Sequence, residues 1–485
     1  MADVGRKKLA KKYLTIHGHF YQPPRQDPFT GRVPREVGAE PYHDFNEKIT
    51  AECYKPNAEV GNFQRISFDI GPPLASWLAK RDASTYHKII AADRDHYHTF
   101  GYGNALAQAY NHTILPLSGS REKKIQIAWG IADFVHRFGH APEGMWLGEA
   151  AVDYETLSLM ADAGLSFTVL APWQAASLID TTEPYLVRLP KDKSITVFFF
   201  DEALSAAVSF DDAATSNADL FAGQMLRKEI NEAKYLNGDS QLILIATDGE
   251  VYGHHKKFRD KFLSYLLRSS APNQGFEVVS LARYLHLNPP TREVLIEEDT
   301  SWSCHHGIKR WRGPCDCVEG CATWKWYLRH ALNKLANRID DIYEDRTSGV
   351  FRDPWKVVED YIRVKLGEIS GVALLNRYKD SSAVNDRSLL KLVEAQYYRQ
   401  LMFTSCGFFF EDLDRIEPKN NIAFAAKAIK LINEVEPDTA LEEEFIRDLA
   451  VARSWRTDLT GADIYVQLMA KRRTRRLEPA VLASV

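Results

Sequence analysis

His17 and His19 are the first residues able to do chemistry, two positions apart in the run YLTIHGHF and followed by Phe20, Tyr21, Gln22, Pro23 and Pro24. Side chains alternate along an extended strand, so both imidazoles project from one face. There they can hydrogen-bond a ligand hydroxyl, hold a metal, or be satisfied by core partners. A second pair, Asp248 and Glu250, follows the apolar run QLILIA in TDGEVYG. If extended geometry continues through it, both carboxylates enter one mouth. Two charges that close cannot both persist, and one group is driven towards the protonated form that general acid catalysis needs. The bland alternative is an N-cap at Asp248 for a following helix. A third carboxylate, Glu149, comes just after Trp146 and Leu147 in EGMWLGEAAVD. It suits a nucleophile beside a sugar-stacking ring, or a helix first-turn charge favoured by the dipole. Asn111 and His112, in AYNHTILPL, add polar groups ahead of an apolar turn.

These groups meet only if separate strands deliver them to one place. Short apolar runs at 13–20, 99–103, 143–147, 166–170, 195–200 and 241–246, with a further one at 276–280, read as strands. Segments with helical spacing lie between several of them, as at 121–138 and 154–163. Six or seven such units predict an α/β parallel barrel, with its chemistry at the C-terminal ends of the strands. After about residue 325 the strand-like runs stop, and 324–345, 354–375, 386–404, 422–435 and 439–455 read as long amphipathic helices of a bundle. There is no internal repeat, and KRRTRR at 471–476 reads as a solvated helix end. The predicted division is a barrel over 13–300, a Cys/His-rich connection over 301–325 and a helical domain over 326–485.

The 485 residues carry 61 Lys+Arg against 65 Asp+Glu, a net charge of −4, with 45% hydrophobic residues. That composition excludes a mainly disordered chain and gives no electrostatic footprint for nucleic acid. Nothing approaches the roughly 18 apolar residues of a membrane span, and the basic start MADVGRKKLAKKYLTI lacks the apolar core of a secretory signal. A cytoplasmic location is the simplest reading. No phosphate-binding Gly-rich loop, G-x-S-x-G elbow or H-E-x-x-H helix occurs. Histidines, carboxylates, tryptophans and tyrosines remain, which suits carbohydrate chemistry, where rings stack on aromatics and two carboxylates flank the scissile bond.

Four of the six cysteines, Cys304, Cys315, Cys317 and Cys321, crowd together with His305 and His306 among them. The residue types suit structural zinc, but Cys-x-Cys with the next cysteine four residues on is not the C-x2-C knuckle pair. Reduced or redox-labile thiols are the preferred reading, and neither a metal nor a cofactor is expected.

The order of these motifs resembles glycoside hydrolase family 57, retaining enzymes active on α-glucans that include amylases, branching enzymes and glucanotransferases. HGHFYQP is similar to the family's first motif, with Phe20 and Tyr21 intervening before Gln22, and the segment around Asn111 and His112 is similar to its second. MWLGEA resembles the third, which implies a nucleophile at Glu149, with Gly148 where relatives often keep a proline. TDGEVYG resembles the fourth, implying the acid/base at Asp248 and a supporting carboxylate at Glu250. CHHG, residues 304–307, loosely matches the fifth and brings in His306. The resemblance covers about residues 13–310 and implies an incomplete (β/α)7 TIM-like barrel with a helical bundle after it. It also implies an oligosaccharide or polysaccharide substrate. His17, His19, Gln22, His112, Glu250 and His306 would hold hydroxyls or tune the acid, with Trp146, Tyr252 and Trp302 as sugar platforms. Two other readings stand beside it: a metal-dependent polysaccharide deacetylase using the His-x-His pair, and a catalytically silent carbohydrate-binding protein.

Overall fold

The computed structural model describes residues 10–380 and 384–477, with side chains given up to 470. The basic stretch before residue 10 lies outside the described residues. KRRTRR falls within the helix Gly461–Leu477, but its side chains lie outside the described ones. The chain forms two compact units, one from Met1–Gln22, Pro34–Tyr110 and Gln126–Ser303, the other from Pro23–Val33, Asn111–Ile125 and Cys304–Val485. Two short stretches that precede the predicted boundary at 300 therefore belong with the second unit.

The first unit contains the strands β1 (Lys12–Phe20), β2 (Ser67–Ile70), β3 (Ala105–Gln108), β4 (Met145–Trp146), β5 (Phe167–Leu170), β6 (Tyr185–Leu189), β7 (Lys193–Phe199), β8 (Gln241–Asp248) and β9 (Phe276–Val278). Parallel ladders run β4-β3-β2-β1-β8, with β9 also paired to β1. A second sheet pairs β5 with β7 in parallel, and β7 with β6 in antiparallel. The two sheets meet at β4 and β5, through the parallel bridge Gly144 to Phe167 and the hydrogen bond from Thr168 Oγ1 to the Met145 carbonyl at 2.8 Å, and beside β7 and β8, through Asp201 N to Leu244 O. The seven strands β1, β2, β3, β4, β5, β7 and β8 thus follow one another around an incomplete (β/α)7 barrel whose ladder does not close. Alternate residues of these strands, among them Phe167, Val169, Phe198, Leu242, Leu244 and Tyr13, pack into one buried cluster. Burying large apolar side chains of this kind supplies the main driving force for assembling such a barrel.

Three strands departed from the sequence reading. TFGYG is not a strand, because the helix Ala83–Phe100 runs into it and ends at Gly101, in the left-handed conformation that favours glycine at a helix stop. The strand begins later, at Ala105, in the weak β-former sequence ALAQ. SFDI, immediately before Gly-Pro-Pro, forms β2, and YLVRL forms β6, two strands the periodicity did not reveal.

The second unit is helical, with long helices Trp324–Thr347, Asp386–Leu401, Ile416–Asn433 and Gly461–Leu477. The predicted helix over 354–375 is broken. Gly367 adopts φ +78°, and Ser370 caps a new helix by accepting from Ala373 N. Among the described residues no helix is long and apolar enough to cross a membrane.

Candidate active site

Strand register brings the first histidines and carboxylates together. Parallel pairing sets His19 of β1 beside Asp69 of β2 on one side and Asp248 of β8 on the other, while Gln108 of β3 pairs with Trp146 of β4. Asp69 is fully buried and binds both imidazoles, His17 Nε2 at 3.1 Å and His19 Nδ1 at 2.8 Å, and it accepts from Gln108 Nε2 at 3.0 Å. Both rings stack on Trp146, with centroids at 4.8 and 5.2 Å.

The two histidines differ in charge. Burial holds His17 below its ordinary range against the pull of Asp69. Burial also opposes charge on His19, but Asp69 outweighs it, with Asp248 and Glu250 behind, and carries that imidazole up to about 9. Asp69 is held low by the two histidines in spite of its burial. A fixed cation at His19 therefore sits among three carboxylates.

Glu149 lies in a 3₁₀ turn, Gly148–Ala150, with φ +57°, a left-handed conformation that costs energy in a residue with a side chain. The helix that follows is capped by Asp153, which accepts from Thr156 N at 2.7 Å, so Glu149 is not the helix-start charge. Its Oε2 accepts from Ser303 Oγ at 2.7 Å and from Trp302 Nε1 at 3.3 Å, and its backbone carbonyl accepts from Trp302 N at 3.0 Å. Burial and the nearby Asp248 raise the carboxyl above its ordinary range, while Ser303, His19 and Trp302 oppose the rise.

Asp248 ends β8 with its residue exposed to solvent, and among the described residues its carboxylate has no hydrogen-bond partner. It occupies the N-cap position of a 3₁₀ turn without capping it, so that alternative fails for its side chain. The protein around it raises its pKa, with Asp69 adding to the rise and His19 and His255 opposing it.

Extended geometry does not continue to Glu250, because the chain turns at Gly249. A Cβ there would lie 2.3 Å from the ring of Phe20, so only glycine lets the turn close over that ring. Glu250 is accordingly buried, accepting from Tyr54 Oη at 2.6 Å, with Gln22 Nε2 at 3.5 Å. Burial, then Asp248, lifts it to about 7.

Trp146 and Tyr252, expected as sugar platforms, are 0% and 1% exposed. The face of Trp146 is covered by the histidines, and the Tyr252 hydroxyl lies 3.4 Å from Thr247 Oγ1, so both serve as scaffold. Trp302 is partly exposed and meets Trp146 edge-on at 4.9 Å. His112 and His306 belong to the second unit, each with partners there. His112, at φ +52°, places Nδ1 2.6 Å from Ser405 Oγ. His306 was expected to hold substrate, but its Nδ1 faces the sulfurs of Cys315 and Cys304 at 3.4 and 4.0 Å. A loose Cys-His-His-Gly match could not distinguish a sugar contact from a thiol neighbour.

Asp69, Gln108, Tyr54 and Ser303 were missed by sequence reasoning. For Asp69 a signal existed: a short apolar run carrying one acid and stopped by Gly-Pro-Pro. Asp69→Asn is expected to lower the pKa of His19 to or below the ordinary imidazole range, read by NMR titration. It should also cost about 3 to 5 kcal/mol of stability near neutral pH, since it strips the main partner from a buried charge. The sign follows from the shifts. His19 is raised, so its contribution is complete below about 6.5 and is lost as pH rises through about 9. Asp69 is lowered, so its own contribution is present above its ordinary range and is lost in acid. An unchanged His19 titration in the variant would remove the ion pair from this account.

A family model described as glycosyl hydrolase family 57 matches residues 8–297, and a second, described as a domain of unknown function (DUF3536), matches residues 322–481. Among curated protein sequences none matches the chain. Similar solved structures include an exo-type maltose-forming amylase from Pyrococcus sp. ST04, with TM-score 0.75 and 17% identity over 94% of this chain and 88% of that one. A branching enzyme from Pyrococcus horikoshii has TM-score 0.61 and 14% identity, covering 95% and 94%. The α-amylase AmyC from Thermotoga maritima has TM-score 0.61 and 13% identity, covering 94% and 99%. At these identities the likeness is one of fold.

Proposed function

The chain belongs to glycosyl hydrolase family 57, a family of glycosidases and transglycosidases, and on that premise we propose that it cleaves or transfers α-glucan chains with retention of configuration. Glu149 is the nucleophile and Asp248 the acid/base. The observation that carries this reading is the asymmetry of two interacting carboxyls. Glu149 is held by two donors, Ser303 Oγ and Trp302 Nε1, whereas Asp248 reaches solvent without a hydrogen-bond partner among the described residues.

Both carboxyls are raised above their ordinary ranges, and Asp248 contributes to the rise of Glu149. The donors at Glu149 favour the negative charge that a nucleophile needs. In a double displacement the Glu149 carboxylate attacks the anomeric carbon while Asp248 protonates the departing glycosidic oxygen. Asp248 then deprotonates water or an acceptor sugar hydroxyl that opens the glycosyl ester. The His19 cation, fixed by Asp69, supports the negative charge of this cluster, and Glu250 shapes it from beneath through Tyr54 and Gln22.

The test is incubation with maltooligosaccharides, amylose, glycogen and pullulan, with products separated by chain length and the first-formed anomer read by proton NMR. Shorter products are expected from hydrolysis, longer or branched ones from transfer, and the α-anomer first in either case. A β-anomer appearing first would overturn retention. Binding without turnover on all four would favour the silent carbohydrate-binding reading.

A further inference from the structure

The four residues Cys304, His306, Cys315 and Cys317 bring one ligand atom each into a cluster in which all four atoms lie within 4.8 Å of one another. The sulfurs of Cys304, Cys315 and Cys317 are 3.0 to 3.6 Å apart, and His306 Nδ1 lies 3.4 Å from Cys315 Sγ and 4.0 Å from Cys304 Sγ. We propose that these four side chains bind a single zinc ion in a closed, structural Cys3His site.

Zinc bonds to sulfur at about 2.3 Å and to imidazole nitrogen at about 2.0 Å, so a tetrahedron sets its ligand sulfurs about 3.8 Å apart and each sulfur about 3.5 Å from the nitrogen. The sulfurs need separate by less than about 1 Å to reach that geometry. A disulfide would need about 2.0 Å, and all three sulfur–sulfur spacings are well beyond it. The fourth cysteine of the sequence cluster, Cys321, is exposed and turns its sulfur to Thr323 Oγ1 at 3.2 Å. The spacing objection to zinc therefore dissolves: the ligand set is not four cysteines but two facing pairs, Cys304-x-His306 and Cys315-x-Cys317, each at i and i+2.

The surroundings also suit thiolates. Three thiolates around a divalent zinc leave one net negative charge, and Arg310 supplies one positive charge, donating from Nε to Cys317 Sγ at 3.3 Å and from Nη2 to the Cys317 carbonyl at 2.9 Å. The fully buried Lys325 donates to the carbonyl of Arg310 at 3.0 Å and so steadies the backbone that carries that guanidinium. The segment from Cys304 to Ala322 has little regular structure, its one helix being Lys309–Arg312. A segment so poor in backbone ladders is the kind that a structural metal holds in shape.

The experiment is elemental analysis of the full chain, produced without a histidine tag and kept reduced in chelator-free buffer. It is expected to hold one zinc per chain, released by a thiol-specific mercurial. Cobalt-exchanged protein should show thiolate-to-cobalt charge transfer with the strong visible bands of tetrahedral coordination. Cys315→Ser with Cys317→Ser should reduce zinc to background, and Cys321→Ser should leave it intact. The wild-type cobalt spectrum decides the matter if the double variant does not fold. The proposal is overturned if the reduced wild-type chain takes up no zinc from zinc sulfate, or if freshly isolated chain carries a disulfide among these cysteines. It is equally overturned if the zinc survives the double variant and disappears with His17→Ala.

Discussion

Replacing Glu149 by glutamine is expected to lower turnover by roughly 10⁴- to 10⁶-fold, on polymeric α-glucans and on activated aryl α-glycosides alike. The glutamine side chain has nearly the same shape, and its carbonyl oxygen can still accept from Ser303 Oγ and Trp302 Nε1. What it loses is the ability to form a glycosyl ester, which every substrate requires whatever its leaving group. The left-handed backbone at residue 149 is no worse for glutamine than for glutamate, so the melting temperature should change little. A variant that keeps a tenth or more of wild-type activity on either substrate class would exclude Glu149 as the nucleophile.

The part of this site that sequence makes legible is the part built on strand periodicity. His17 and His19 share a face because β1 is a regular strand, buried almost throughout, and Asp248 was placed because QLILIA leads straight into it. Where the backbone leaves the strand, periodicity fails. The same-mouth expectation for Asp248 and Glu250 assumed an extended chain, but the turn at Gly249 buries Glu250 against Tyr54, a residue within an irregular helical stretch with no period pointing to the barrel. Periodicity did not reveal Asp69, because β2 is only four residues long, too short for a hydrophobic alternation to register; only the Gly-Pro-Pro stop marked it, yet register pairing makes it the central acceptor of the site. Ser303 donates to Glu149 from a segment without regular structure, a contact that only tertiary folding creates.

The aromatic residues show the same division for a different reason. A tryptophan before a strand-end carboxylate predicts a ring near the site, and Trp146 is near it, but composition cannot tell which face of the ring is free. The stacked imidazoles occupy that face and turn the residue into a floor for His17 and His19. Trp302 takes the place expected of Trp146 at the carboxylate itself, through its indole N–H. Overall architecture was easier to read than these details, since barrel and bundle each follow from long stretches of consistent pattern, whereas the junctions between the two sheets, such as the Gly144–Phe167 bridge and the hydrogen bond from Thr168 Oγ1 to the Met145 carbonyl, are tertiary contacts that no local pattern encodes.

Asp248→Asn should separate the two half-reactions that Glu149→Gln abolishes together. The wild-type carboxylate has no hydrogen-bond partner among the described residues, so the amide should disturb little of the protein around it. On natural α-glucans, whose sugar leaving group must be protonated, loss of the general acid should reduce turnover by about 10²- to 10⁴-fold. On an aryl α-glycoside with an acidic phenol no proton is needed for departure, so the first step should survive while the second lacks its base. The glycosyl ester on Glu149 should then accumulate, visible as a burst of phenol close to the enzyme concentration and as an added sugar mass on the intact protein. Azide, which needs no base to attack, should restore turnover and give the α-glycosyl azide, because two inversions at the anomeric carbon return the starting configuration. Equal losses on both substrates with no burst would mean that residue 248 does not handle the proton, and a β-glycosyl azide would mean that no ester on Glu149 lies on the path.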